Sequence, residues 1–144
     1  ACASERASPS PAIREVGMSE SARWVGLVVN AHARADSTRD AQSRTDALAA
    51  LSELAARSSV PGANAQDLDE TRQDLFGRAA ELALALGKPA EAKRLAESGL
   101  ALDPPAGPFR IQLYFALSES QRALGDAFGA ATTLDRARER LRVP

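Results

Sequence analysis

The sequence is poor in the side chains that carry out covalent and metal chemistry. Its 144 residues include one cysteine, Cys2, and one histidine, His32. A single cysteine closes no internal disulfide, and one histidine without a neighbouring cysteine supplies no zinc set. There is no G-x-S-x-G elbow, no P-loop and no dinucleotide fingerprint. Cys2 has no local base to activate it. These gaps point to a non-catalytic protein that needs no cofactor and no metal.

Other shortages narrow the class further. Only six residues are aromatic: Trp24, Phe76, Phe109, Tyr114, Phe115 and Phe128. β-branched residues are sparse, which argues against a sheet. Eighteen basic side chains face nineteen acidic ones, and no basic stripe stands out, so nucleic acid is not an expected partner. The longest apolar run, Trp24 to Ala33, contains Asn30 and His32. It falls well short of the roughly 20 residues that cross a bilayer. Arginine outnumbers lysine sixteen to two, as in chains encoded by GC-rich genomes.

Alanine, by contrast, is abundant and makes up about a fifth of the chain, far above ordinary usage. Small side chains let backbones approach closely, which suits packed helices. From about Glu20 the pattern is helical, and six segments form three pairs. The first runs from about Glu20 to Ala35, with Trp24, Leu27, Val28 and Ala31 on one face. After a polar loop from Asp36 to Arg44, the second runs from about Asp46 to Arg57. Thr45 is its expected cap, and Ala47, Leu48, Leu51, Leu54 and Ala55 are its buried side.

Val60-Pro61-Gly62-Ala63-Asn64 breaks the chain. The third helix is expected from Asp67 to Leu86. Asp67, Asp69 and Glu70 in its first turn suit the positive end of the helix dipole, a simpler account than a metal site. Leu75, Arg78, Ala79, Leu82 and Leu86 share one face, with Ala83 alongside. Gly87-Lys88-Pro89 is a turn, since glycine accepts positive φ and proline fits the first helical position. The fourth helix runs to Leu102, where Asp103 to Pro108 stops it. The fifth runs from about Phe109 to Leu124. Gly125-Asp126 repeats the turn logic, and the sixth helix runs from about Ala127 to Leu141. Leu134, Leu141 and Val143 mark an apolar end that is either an interface or dimer contact, or is solvated by Arg136, Arg138, Glu139, Arg140 and Arg142.

The two glycine turns are also aligned in their surroundings. Eleven residues before each stands an aromatic, Phe76 or Tyr114. Five after stand Ala92 and Ala130, nine after Ala96 and Leu134, and twelve after Gly99 and Ala137. This pattern resembles the tetratricopeptide repeat. Tyr114, Leu117, Ser118, Gly125, Ala130 and Ala137 match that family closely. Phe76, Ala80, Gly87, Ala92, Leu100 and Pro104 match well, with Ala79 in place of a leucine. The copies are offset by 38 residues rather than about 34, the excess lying in Pro105 to Pro108. In the first pair Trp24 and Leu27 fit. Val28 is large for its position, and the Asp36–Arg44 loop replaces the tight turn.

The resemblance implies an all-α domain over residues 20–144, with three antiparallel helix pairs stacked as a short right-handed α-solenoid. It implies a scaffold whose first helices line a groove for a protein or peptide partner. Carried onto this chain, the groove residues are Asp74, Gly77, Glu81 and Leu84 on the third helix and Gln112, Phe115, Glu119 and Arg122 on the fifth. Val25, Val29 and His32 on the first join them if that pair stacks alike. A small-ligand-binding or enzymatic domain is the contrasting reading, and it needs a deep pocket that sets His32 beside acidic groups.

Residues 1–19 are expected to form a flexible tether, because Ser8-Pro9-Ser10-Pro11 and its polar surroundings bury little. With Ala1-Cys2 ahead of it, this stretch resembles a bacterial lipoprotein after signal cleavage. That resemblance implies lipidation of Cys2, membrane contact through the lipid alone and a place in the bacterial cell envelope. The alternative is a soluble cytoplasmic or secreted scaffold in which Cys2 is incidental.

Overall fold

The computed structural model describes residues 18–102 and 107–142. Cys2, most of the expected tether, Pro104 and Val143 lie outside the described residues. Among the described residues there are six helices and no strand: α1 (Glu20–Asp36), α2 (Ala41–Ala55), α3 (Ala65–Ala85), α4 (Pro89–Ala101), α5 (Arg110–Ala123) and α6 (Ala127–Leu141).

Local chemistry sets the boundaries. Ser19 caps α1 by accepting from the Ala22 amide at 3.2 Å. Asp40 caps α2: its Oδ1 accepts from the Ser43 amide at 2.7 Å, and Ser43 Oγ accepts from the Asp40 amide at 3.1 Å. This reciprocal capping box satisfies two amides that the helix leaves open, and it holds the Asp40 carboxyl below its ordinary pKa. It also corrects the expected boundary. The helix starts at Ala41 rather than Asp46, so Thr45 lies inside it and the loop shrinks to a short turn. Likewise α3 starts at Ala65, with Asn64 Oδ1 accepting from the Gln66 and Asp67 amides. Pro89 opens α4, and Asp126 caps α6 by accepting from the Gly129 amide.

The two glycine turns are built alike, bond for bond. Gly87 and Gly125 have φ of 70° and 84°, the left-handed region that glycine enters at least cost. The Gly87 amide donates to Leu84 O and the Lys88 amide to Ala83 O. Thirty-eight residues later, the Gly125 amide donates to Arg122 O and the Asp126 amide to Gln121 O. Both turns therefore satisfy the last carbonyls of one helix while starting the next.

Each helix packs on its successor. In addition α3 lies broadly against α5, and α1 touches α3 over a narrow strip. The alternate helices α1, α3 and α5 thus form a row of neighbours. One apolar cluster runs from Trp24 on α1 to Leu117 on α5. Leu51, Leu75, Leu95 and Leu113 are its largest fully enclosed apolar side chains, each contributing about 2–3 kcal/mol by burial. Ala79, Ala80, Ala83, Ala92 and Ala96 are completely buried and bring the α3 and α4 backbones together. In α1 the buried stripe is Trp24, Val28, Ala31 and Ala35, while Leu27 stands at its edge, half exposed.

Candidate functional site

The site is organised by α3, which two adjacent side chains tie to the helices on either side. Arg72 Nε donates to Ala55 O, the last carbonyl of α2, at 2.8 Å. Gln73 is fully buried, and its Nε2 donates to Gly99 O and Leu102 O at the end of α4, at 3.0 and 2.9 Å. Each supplies donors that a helix C-terminus lacks. The Arg72 guanidinium also lies 5.9 Å from the Phe76 ring centre. Sequence reasoning missed both residues, because their partners lie 17 to 29 positions away.

On the side where α1, α3 and α5 meet, polar side chains form a continuous chain. Arg78 on α3 donates to Asp36 at the end of α1 and to Glu81 Oε2 at 3.3 Å. Gln112 on α5 donates to Glu81 Oε1 at 2.9 Å. Gly77 makes this approach feasible. A Cβ there would lie 3.1 Å from Gln112 Cδ, so the missing side chain is the seat on which Gln112 rests. One turn earlier, His32 Nε2 on α1 lies 2.9 Å from Asp74 Oδ2, with each side chain about a quarter exposed. The pair is ionic only when the imidazole is protonated. Burial pushes the Asp74 carboxyl above its ordinary pKa, against the opposing pull of His32 and Arg78.

Beyond Gln112 the α3–α5 seam opens into a recess of about 540 Å³. Its walls are Glu81 and Leu84 from α3, Pro108, and Ile111, Gln112, Phe115, Ala116 and Glu119 from α5. Phe115 is about half exposed, large for an aromatic in a chain with so few. The size falls in the range of ligand-binding clefts. Glu119 is paired with Arg122 at 2.9 Å, and both are well exposed. A second recess of about 240 Å³ lies where α1 meets the start of α3, with Val25, Thr71 and Trp24 among its walls. Trp24 is buried, and its Nε1 has no hydrogen-bond partner.

The residues singled out from the sequence fall into three groups. Glu81, Leu84, Gln112, Phe115 and Glu119 share the α3–α5 recess. Arg122 stands beside it on Glu119. Asp74 is engaged with His32, and Gly77 is buried beneath Gln112, so neither lines that recess. His32 is therefore a partner of α3 rather than a plain surface residue. Val25 and Val29 are exposed on α1. Pro108 and Ile111, which the sequence marked only as a break and a helix start, are recess walls. Among the described residues, no three His, Cys, Asp or Glu side chains gather as a metal site, and no helix is long and apolar enough to cross a membrane. No family model, curated protein or solved structure matches the chain.

Proposed function

We propose that this chain is a non-catalytic interaction module of tetratricopeptide type, a short right-handed stack of helix pairs that holds a protein or peptide partner along α3 and α5. The observation that carries the reading is the α3–α5 recess, where an exposed Phe115 and apolar walls sit between Glu81 and Glu119. The matching hydrogen bonds of the two glycine turns support the repeat half of the reading. The test is affinity capture from the source organism with the full chain, Phe115→Asp, and the pair Glu119→Arg and Arg122→Glu. The same partners retained by all variants reject the groove.

The proposal extends to an address. Cys2 followed by a Ser/Pro-rich stretch suits a bacterial lipoprotein, held in the cell envelope by acyl chains worth roughly 0.8 kcal/mol per buried CH₂. Mass spectrometry of the native protein is expected to find a diacylated Cys2 in the membrane fraction. An unmodified Cys2 in the soluble fraction removes this half and leaves the interaction module standing.

A further inference from the structure

We propose that the α3–α5 recess receives a cationic segment of its partner: polypeptide with two Lys or Arg side chains about 10 Å apart and an apolar side chain between them. This rests on the groove reading and adds the chemistry of the occupant.

The walls of the recess are one-sided in charge. Among the described residues, the only charged side chains in them are the carboxylates of Glu81 and Glu119. Of the two neighbouring guanidiniums, Arg78 is shared between Glu81, at 3.3 Å, and Asp36, which lies closer, so it neutralises Glu81 only in part. Arg122 is committed to Glu119 in a pair that water reaches freely, and such pairs exchange partners at little cost. An anionic segment would set like charges together where apolar walls exclude part of the water, and that juxtaposition selects against it. The remaining walls, Leu84, Pro108, Ile111, Phe115 and Ala116, offer apolar surface. The Gln112 amide is already given to Glu81.

The spacing follows from α5 itself. Glu81 meets α5 at Gln112, and Glu119 stands seven residues further along. Two helical turns separate them, roughly 10 Å at 1.5 Å per residue. Phe115 lies nearly midway. A helix laid in the recess with cations at i and i+7 and an apolar residue at i+3 or i+4 reproduces this order of charge, apolar contact and charge.

The experiment is selection of a displayed random-peptide library, each peptide about 12 residues so that a helix spans both carboxylates. Selection is on the full chain, followed by fluorescence polarisation with the enriched peptides. The variants are Glu81→Gln with Glu119→Gln, Phe115→Asp, and the control Glu53→Gln on α2. All four residues are exposed, and each variant is first matched to the parent in helical circular dichroism and melting. The expected peptides carry two cations around an apolar residue. Their affinity falls about tenfold in the double Gln variant at low salt, the sum of two exposed ion pairs, and less at high salt. Glu53→Gln leaves it unchanged, and Phe115→Asp abolishes it. Peptides without positive charge that still depend on Phe115 overturn this proposal and leave the groove reading intact. Peptides indifferent to every variant, or no enrichment at all, overturn both.

Discussion

Replacing Gly99 with alanine adds one methyl group at the crossing of three helices. A Cβ at Gly99 on α4 would lie 2.6 Å from Leu113 Cδ2 on α5 and 3.0 Å from Phe76 Cβ on α3. Leu113 is fully buried, and the Phe76 Cβ is held by its own helix, so neither has room to withdraw. Alanine gains about 1 kcal/mol of helix propensity over glycine. Forcing a methyl into a filled core costs about 1–3 kcal/mol, and contacts this short put the cost at the upper end. The expected net loss is about 1–2 kcal/mol, or a fall of roughly 3–7 °C in Tm for a chain of this length. Gly26 on α1 is the internal control, because a Cβ there meets nothing within 4 Å. Gly26→Ala is expected to raise stability by about 0.5–1 kcal/mol. Urea melts of the two variants beside the parent therefore give opposite signs for one chemical change. Leu113→Ala should also cost less in the Gly99→Ala background than alone, since the truncation relieves the clash. A Gly99→Ala protein as stable as Gly26→Ala refutes the packing described for α4.

Gln73→Ala removes both donors at the end of α4 and leaves a small void, an expected loss of about 2–3 kcal/mol in urea denaturation. Gly125→Ala forces a side chain to φ of 84°, an expected loss of about 1 kcal/mol in the same assay. Asp74 gives a pH signature. Its pKa is raised in the folded protein, so the native state holds that proton more tightly than the unfolded chain. Its contribution to stability is greatest in acid and declines as pH rises from the ordinary carboxylate value through the raised one. Asp74→Asn is expected to lack this decline, so that parent minus variant stability falls across that window; a difference that grows with pH contradicts the burial assigned to Asp74.

All six helices were legible in the sequence, because Trp24, Val28, Leu48, Leu51, Leu75 and Leu82 recur at helical spacing and glycine or proline punctuates them. The start of α2 was not. Its first turn, Ala41 to Arg44, is polar and carries no apolar rhythm, although Asp40 with Ser43 was a readable capping pair. Alignment with the family pattern put Gly77 among groove residues, yet its role is set by Gln112 on another helix. Arg72 and Gln73 were illegible for the same reason: a polar residue inside a helix announces its partner only once the neighbouring helix ends are placed. The five residues that share the α3–α5 recess came from the same family pattern, which sets the first helices of successive pairs side by side.

The adjacent pair Arg72 and Gln73 also bears on how the molecule comes apart. One side chain holds the end of α2 and the other the end of α4, so α3 cannot unravel at that turn without freeing both neighbours. Amides of α2, α3 and α4 should then exchange with solvent deuterium as one cooperative unit. The last helix stands outside that unit. Among the described residues it packs on α5 alone in extended contacts, and it buries only Ala130, Thr133 and Ala137. Its amides should exchange first, so opening begins at the C-terminal end while the helices around α3 remain closed.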